Sequence, residues 1–309
     1  MSEFHEAVII GGGPAGLTAG VYLRRAGIDA ALVERGVLGG TAARTEQIDN
    51  YPGFPEGISG ADLTRLMAEQ AKRFGLVVKE FFDVSLVSRK DDGRFLVTSG
   101  ESEIETRGVI LAAGTEWKQL GIPGEKEFVG RGVSYCATCD AMFFQDQDVA
   151  VIGGGDSAIQ EAMTLANLCR RVSVVHRRDR LRAQVVIQER AFRQGNIEFL
   201  WNKAPLEIIG KGQVESVLLR DTQSDGRSTL KVDGVFVFVG LEAKTAFLGD
   251  LVDRDRAGFI EVGEDLASKT KGLFVAGDVR TKRLRQITTA VGDGALAAVG
   301  LEQYLLEAR

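Results

Sequence analysis

Two glycine-rich turns, each lying between a short apolar strand and a helix-like run, predict an α/β protein built from two Rossmann-like domains. The first turn spans residues 11–16 after the apolar run 7–10, and the second spans residues 153–158 after the run 149–152. One such turn is a weak signal, but two in the same strand–turn–helix context are a strong one. A chain of 309 residues is also too long for one ordinary core, so two domains are expected.

The composition restricts the class of protein. Hydrophobic residues make up 44% and charged residues 26% of the chain, as in soluble globular proteins. The net charge of −5 argues against nucleic acid as a partner, and no apolar run reaches the ~18–20 residues of a membrane span. The acidic N-terminus lacks the basic start of a signal peptide. We therefore expect a cytoplasmic protein that binds neither nucleic acid nor a membrane.

The first turn has the pattern G-x-G-x-x-G. Gly11 permits the tight turn, Gly13 lets a pyrophosphate approach the backbone, and Gly16 lets the helix pack closely on the strand. The next predicted strand, Ala30–Val33, ends in Glu34. A carboxylate at this place accepts hydrogen bonds from free ribose hydroxyls and would repel a 2′-phosphate. The first site therefore suits an adenosine with free hydroxyls.

The second turn has the variant pattern G-x-G-x-x-A. The strand that follows its helix ends in basic residues, whereas the corresponding strand of the first copy ends in a carboxylate. The strand at residues 172–175 is followed by His176, Arg177 and Arg178, with Arg182 one turn further on. Arginine holds phosphate by charge-assisted, often bidentate hydrogen bonds. A solvated basic face is the simpler interpretation, but the arginines directly follow His176, which lies 18 residues after Ala158, as Glu34 lies 18 residues after Gly16. The second site is therefore predicted to bind the 2′-phosphate of NADPH.

The second domain is predicted to be inserted into the first. Near the C-terminus, residues 272–278 read as a strand that ends in Gly277 and Asp278, where a carboxylate is well placed to bind a polyol chain, although a turn residue is the alternative. Residues 109–115 and 235–240 look like strands that leave one domain for the other. The predicted parts are 1–115 and 242–309 for the first domain and 116–241 for the second.

The tetrad at residues 136–139, Cys-Ala-Thr-Cys, is followed at once by Asp140. Such a pair can be a redox dithiol, half a zinc site, or two buried small hydrophobic residues. The chain has no second cysteine pair to complete a zinc site, so no metal is expected. Cysteines without a secretion signal suggest a reducing compartment, which favours catalysis. The third cysteine, Cys169, lies in an apolar-periodic helix and is interpreted as a core residue.

Together these motifs resemble the bacterial-type, low-molecular-weight thioredoxin reductases over essentially the whole chain. The resemblance depends on the order and spacing of the segments 11–16, 50–53, 131–140, 153–158, 176–179, 182–183, 277–279 and 285–286. It implies a homodimer with FAD in the outer domain and NADPH in the inserted domain, which swivels on the outer one.

The resemblance also implies which residues contact each cofactor. The FAD contacts are Gly11, Gly13, Pro14, Ala15, Gly16, Glu34, Arg35, Gly40, Thr41, Asn50, Gly277, Asp278, Arg285, Gln286 and Ile287. The NADPH contacts are Gly153, Gly155, Asp156, Ser157, Ala158, His176, Arg177, Arg178 and Arg182.

The same resemblance gives roles to the residues around the dithiol. Cys139 would face the flavin, and Cys136 would exchange with the disulfide of thioredoxin or a thioredoxin-like protein. Asp140 would protonate the departing thiolate, although a helix cap explains this residue equally well from the residues alone. Arg131 and Phe143 match positions that help to dock the partner.

Departures from the family pattern and two alternative functions complete the prediction. Thr41 stands where many members carry Gln, residues 42–45 differ from the usual threonine-rich stretch, and Ala141 replaces a frequent Gly. One alternative is a related flavin disulfide oxidoreductase with another electron donor or acceptor, which the intact arginine set disfavours. The other is a non-enzymatic flavin and disulfide redox sensor, which a turnover assay would distinguish.

Overall fold

The computed structural model describes residues 3–45 and 47–307 and divides the chain into two compact units. Unit 1 comprises Met1–Glu116 and Glu242–Arg309, and unit 2 comprises Trp117–Leu241. The second unit thus interrupts the first in sequence.

The chain passes through part of unit 1, then through the whole of unit 2, and then returns to unit 1. The first part of unit 1 contains β1 (Glu3–Ile10), α1 (Pro14–Arg25), β2 (Ala30–Val33), a 3-10 helix (Gly40–Arg44), α2 (Gly60–Arg73), β3 (Val77–Lys79), β4 (Leu86–Arg89), β5 (Phe95–Ser99) and β6 (Ser102–Leu111). The short strand β7 (Glu116–Trp117) leads into unit 2.

Unit 2 contains β8 (Val133–Ser134), α3 (Ala137–Asp140), a 3-10 helix (Ala141–Phe144), β9 (Asp148–Gly153), α4 (Asp156–Ala166), β10 (Arg171–His176), α5 (Val185–Phe192), β11 (Ile197–Trp201), β12 (Lys203–Gly210), β13 (Val214–Asp221), β14 (Arg227–Lys231) and β15 (Gly234–Phe238). The chain returns to unit 1 through β16 (Leu241–Glu242), which pairs with β7, and continues with a 3-10 helix (Ala246–Leu251), β17 (Leu273–Val275), a 3-10 helix (Gly277–Val279) and α6 (Ile287–Glu307).

The main sheet of unit 1 has the strand order β3-β2-β1-β6-β5-β4, with β17 also paired to β6. Strands β3, β2, β1, β6 and β17 are parallel, whereas β5 runs antiparallel to both β6 and β4. The apolar runs predicted as buried parallel strands form β1 and β2, and β17 begins at Leu273. The predicted α/β class is confirmed.

Alternate residues of the central strand β1 serve two cores, because successive side chains of a strand point to opposite faces. Ala7 and Ile9 pack in one apolar cluster with residues of α1 and α6, including Leu23 and Leu301. Val8 and Ile10 belong to a second cluster on the other face of the sheet. A parallel strand covered on both sides requires an unbroken apolar run, which is what this segment has.

Unit 2 is a three-layer domain. Its sheet has the order β11-β10-β9-β15-β8, and these neighbouring strands pair in parallel. Helix α4 covers one face through Ile159, Ala162 and Leu165, which are fully buried. The antiparallel sheet β12-β13-β14 covers the other face, where Val217 and Leu219 pack with residues of β9 and β15. Within the described residues, no helix combines the length and hydropathy needed to cross a membrane.

Two glycines of α6 provide a test of the helix packing. A Cβ atom at Gly294 would overlap the carbonyl oxygen of Ala15 in α1, whereas one at Gly292 would meet open space. We expect Gly294→Ala to lower the free energy of unfolding by about 1–3 kcal/mol through overpacking. Gly292→Ala in the same helix should be neutral or stabilising by up to about 1 kcal/mol, because alanine is the better helix former. Urea unfolding of the two variants measures this difference, and equal midpoints would contradict the packing.

Candidate active site

The first glycine-rich turn lies where the parallel strands of unit 1 end. Gly11 adopts a φ of +109°, and a Cβ atom there would overlap the carbonyl group of Ala112. A Cβ atom at Gly16 would overlap the carbonyl oxygen of Gly11. Gly13 is the N-cap of α1, Pro14 is its first residue, and no described side chain caps the helix. The backbone N–H groups of its first turn are therefore directed at the site, as anion-binding helix termini require.

Glu34 is fixed at the end of β2 by the backbone of the glycine loop. Its Oε2 accepts a hydrogen bond from the N–H of Gly12 at 2.7 Å, and its Oε1 accepts one from the N–H of Gly36 at 3.0 Å. Each oxygen of a carboxylate has a further lone pair, so the group can still accept a ribose hydroxyl. Gly40 faces Gly13, since a Cβ atom at Gly40 would lie 3.2 Å from the Cα of Gly13. These glycines let the two backbone segments approach each other closely beside the helix N-terminus.

The end of β17 reaches the same place. A Cβ atom at Gly277 would lie 2.9 Å from the Cβ of Ala15, and the φ of Gly277 is +81°. Asp278 follows, with its Oδ1 buried and without a hydrogen-bond partner among the described residues. Burial raises the pKa of this carboxyl, and Lys282 opposes that change. A partly buried carboxylate at a strand end, next to a helix N-terminus, fits the polyol chain of a flavin dinucleotide.

The other residues predicted to contact FAD in this unit have the following surroundings. The side-chain amide of Asn50 donates a hydrogen bond to the Oε1 of Gln286 at 2.9 Å, which ties two predicted site segments together. Ile287 is the first residue of α6. Thr41 is exposed in the 3-10 helix that begins at Gly40.

Two arginines that are predicted to contact FAD have interaction partners within the protein. The guanidinium group of Arg285 donates to the carbonyl oxygens of Asp278, Arg280 and Lys282 and lies 3.9 Å from the centre of the Phe259 ring. It therefore closes the loop that carries Asp278. The guanidinium group of Arg35 forms an ion pair with Glu116. Direct cofactor contact by either arginine stays a prediction.

In unit 2 the second glycine-rich turn has the same form. Gly155 is the N-cap of α4, no described side chain caps this helix, and the space beside the Cα of Gly155 is open. Ala158 is buried, and Ser157 lies beside it in the first turn. The carboxylate of Asp156 accepts hydrogen bonds from the backbone N–H and the side-chain amide of Gln184 at 2.7 and 2.8 Å. Asp156 thus holds the loop that precedes α5, a contact that the sequence did not predict.

That loop carries the predicted phosphate-binding arginines. Arg177, Arg178 and Arg182 are exposed, and no carboxylate of the described residues forms an ion pair with them. The N–H of Arg182 donates to the carbonyl of Gly154 at 2.7 Å, and the hydroxyl of Thr222 donates to the carbonyl of Arg177 at 3.2 Å. Three cationic groups on an anchored loop are available for an anion.

His176 is buried at the end of β10, unlike the arginines that follow it. A Cβ atom at Gly154 would overlap its imidazole ring, and its Nε2 has no hydrogen-bond partner among the described residues. Burial lowers the pKa of His176, and the three neighbouring arginines lower it further. The ring is therefore neutral near pH 7.

Cys136 and Cys139 form a disulfide, with their Cα atoms 5.3 Å apart. Cys136 precedes α3 as its N-cap, and its sulfur accepts a hydrogen bond from the N–H of Cys139 at 3.2 Å. Its own N–H donates to the hydroxyl of Ser134 at 3.0 Å. Cys136 is 9% exposed, whereas Cys139 is exposed. The structure thus joins the two cysteines of the tetrad in a disulfide, which is consistent with a redox pair.

Two carboxylates that sequence reasoning missed support this pair. Glu161 of α4 accepts a hydrogen bond from the N–H of Ala137 at 3.1 Å. Glu125, which is 1% exposed, accepts one from the hydroxyl of Tyr135 at 2.8 Å. Burial and this carboxylate raise the pKa of Tyr135 above its usual value. No motif spacing identifies either glutamate, because the contacts join residues 24 and 10 positions apart that no short pattern connects.

The residues on the other side of the pair are more open to solvent. The N–H of Asp140 donates to the carbonyl of Cys136 at 3.2 Å, and this residue is half-buried. Phe143 is 77% exposed and lies next to the equally exposed Met142. Arg131 is exposed, with its guanidinium carbon 5.8 Å from the centre of the Phe128 ring.

The whole chain is similar to known proteins. Residues 5–294 match the model of the family described as pyridine nucleotide-disulphide oxidoreductase. The chain is 44% identical to the thioredoxin reductase of Bacillus subtilis (strain 168), with 99% of this chain and 97% of that protein covered. It is 43% identical to the thioredoxin reductase of Listeria monocytogenes, with 99% and 95% covered.

Solved structures give the same result. The structure of Lactococcus lactis thioredoxin reductase matches with a TM-score of 0.95 and 41% identity, covering 98% of this chain and 99% of that one. The structure of T. acidophilum thioredoxin reductase matches with a TM-score of 0.92 and 32% identity, with 98% and 99% covered. The chain therefore belongs to the pyridine nucleotide-disulphide oxidoreductase family and, within it, to the bacterial-type thioredoxin reductases. The resemblance inferred from the motifs is confirmed.

The disulfide and the buried third cysteine predict a defined thiol count. Burial raises the pKa of Cys169 to about 11, so only about one thiol in a thousand is ionised at pH 8. We expect the folded, oxidised protein to be unreactive toward Ellman's reagent at pH 8. Unfolding in urea without reductant should expose one thiol per chain, and unfolding after reduction should expose three. Rapid modification of Cys169 in the folded protein, or three thiols without reductant, would contradict the assignment.

Proposed function

We propose that this protein reduces the disulfide of thioredoxin or a thioredoxin-like protein with electrons from NADPH. The observation that carries the proposal is the Cys136–Cys139 disulfide beside α4, the helix that begins at the second glycine-rich turn. Relatives named thioredoxin reductase, matched over 99% of the chain, support it. When bound, FAD would accept the hydride of NADPH and pass two electrons to the disulfide.

We assign the two dinucleotides to different units. FAD fits unit 1, because Glu34 can accept ribose hydroxyls and Asp278 can accept a polyol hydroxyl. NADPH fits unit 2, where Arg177, Arg178 and Arg182 offer positive charge without competing carboxylates among the described residues. In both units an uncapped helix N-terminus would meet the pyrophosphate.

The exchange with the partner follows the chemistry of a dithiol. The Cys136 thiolate attacks one sulfur of the partner disulfide, which forms a mixed disulfide and releases a partner thiolate that takes up a proton. The Cys139 thiolate then attacks the Cys136 sulfur, which restores the internal disulfide and releases the second partner thiolate. Two electrons pass to the partner. Since Cys136 is nearly buried in the oxidised form, this order requires its sulfur to become accessible after reduction.

Further assignments rest on the family resemblance. Asp140 would supply the proton to the departing thiolate, and the exposed Arg131 and Phe143 would dock the partner. The homodimer and the cytoplasmic location stay predictions, and sedimentation equilibrium of the purified protein would measure the first.

Single serine variants test the role of the dithiol. Cys136→Ser and Cys139→Ser should each abolish NADPH-dependent thioredoxin reduction, because exchange requires an attacking and a resolving thiol. The measurement is NADPH oxidation, followed by its near-ultraviolet absorbance, with a panel of thioredoxins and added FAD. Cys169→Ser is the matched control and should remain active. Near-wild-type turnover in either of the first two variants would exclude the mechanism, and no turnover by the wild type with any thioredoxin would favour a redox sensor.

Substitution of the arginine set tests the nucleotide preference. Each charged contact to the 2′-phosphate should contribute roughly 1.5–3 kcal/mol, so Arg177→Ala with Arg178→Ala should raise KM for NADPH by about a hundredfold or more. The KM for NADH should be nearly unchanged, because NADH lacks this phosphate. Arg193→Ala, an exposed arginine of the same unit, serves as the control. Equal use of NADPH and NADH by the wild type would refute the assignment.

A further inference from the structure

A largely buried cluster of two acidic and two basic side chains includes the proposed polyol-binding residue Asp278 and three residues outside the motifs recognised in the sequence. Its members are Asp278, Arg280, Lys282 and Asp293. The side chain of Lys282 is 5% exposed and that of Asp293 is 9% exposed. Lysine is almost never buried to this extent unless it is paired, and the ammonium group of Lys282 is paired with both carboxylates.

Asp293, on α6, is the anchor of the cluster. Its two oxygens accept hydrogen bonds from Nε and Nη2 of Arg280, both at 2.8 Å, and its Oδ2 also accepts from the N–H of Gly277 at 3.1 Å. Although burial raises the pKa of Asp293, the bonds from Arg280 and Lys282 outweigh this effect and leave the pKa below its usual value. An ionised carboxylate in a fixed orientation therefore faces Lys282, whose Nζ lies 3.1 Å from Oδ2.

The second partner of Lys282 is Asp278. The Nζ atom lies 3.4 Å from Oδ1, which is an ion-pair distance rather than a short hydrogen bond. That oxygen is buried and has no hydrogen-bond partner among the described residues. Because Oδ1 is turned inward toward the ammonium group, Oδ2 is the carboxylate oxygen that a ligand can reach. The orientation of the carboxylate thus depends on Lys282.

We propose that Lys282, anchored by Asp293, is a positioning residue that directs the Asp278 carboxylate toward the polyol chain of FAD. The inference rests on the proposed FAD site of unit 1 and identifies what holds its acidic ligand. The proposal predicts a selective effect of Lys282 on ligand binding. Lys282 should affect ligands that carry the polyol and should not affect ADP, which shares the adenosine and diphosphate but has no polyol.

The test compares FAD and ADP on the full chain after removal and return of the flavin. FAD binding is followed by flavin fluorescence and ADP binding by calorimetry, for the wild type, Lys282→Met, Asp278→Asn and the double variant. We expect Lys282→Met to raise the Kd of FAD by at least about tenfold, the factor typical of a hydrogen bond to a charged group. The Kd of ADP should stay within about twofold. Because both residues act through one contact, the double variant should bind FAD no worse than Asp278→Asn.

Lys269→Met is the matched control, because Lys269 pairs with Asp253 on the surface of the same unit, and it should change neither Kd. If Lys282→Met does not fold, Lys282→Gln replaces it and should show the same selective loss for FAD. Equal weakening of FAD and ADP, no change in either, or additive losses in the double variant would overturn the proposal. Thioredoxin reduction by the wild type is measured separately, so failure of the proposed function is distinguishable from failure of this inference.

Discussion

Both proposed cofactor sites depend on one constraint, the approach of backbone to backbone at distances that a side chain would prevent. In unit 1 a Cβ atom at Gly16 would overlap the carbonyl oxygen of Gly11, and one at Gly294 would overlap that of Ala15. These approaches let α1 begin at the end of β1 and let α6 lie against its first turn. Because Ala15 also contacts Gly277, the end of β17 reaches the same place. The polar residues of the site take their positions from this packing.

The two units repeat this architecture but differ in charge at equivalent strand ends. Unit 1 presents Glu34, whose carboxylate is fixed by two backbone N–H groups. Unit 2 presents Arg177 and Arg178, which have no carboxylate partner among the described residues. Two unit charges about 4 Å apart near a protein surface interact by about 4 kcal/mol, so a 2′-phosphate would be repelled at the first strand end and attracted at the second. Under the proposed assignment, the charge at the strand end distinguishes a dinucleotide that carries a 2′-phosphate from one that does not.

The sequence predicts those features that are local in the chain. The glycine turns, the apolar strands and the residues at the strand ends follow from short patterns, and the structure contains each of them. It does not predict partners that come from distant segments, such as Glu161 for the N–H of Ala137 or Asp293 for Lys282, because no spacing rule connects them. Arg285 shows the same limit, since its motif suggests a cofactor contact while its guanidinium group binds three carbonyls of its own loop. Short motifs therefore identify residues of the proposed sites, whereas the atoms that these residues contact depend on the tertiary packing.

The properties of the dithiol depend on both the local sequence and the tertiary contacts. Spacing alone brings the two sulfurs within reach, but the hydrogen bonds around them make the pair asymmetric. The sulfur of Cys136 accepts the N–H of Cys139 at the start of a short helix, while the sulfur of Cys139 accepts no such bond from the part of the chain that the structure describes. A backbone donor at a helix start favours negative charge on the sulfur that it contacts. Because Glu161 and Ser134 hold the neighbouring backbone, this arrangement can persist when the disulfide opens. These hydrogen bonds therefore favour the thiolate form of Cys136 over that of Cys139, which is consistent with the role proposed for Cys136 once its sulfur becomes accessible.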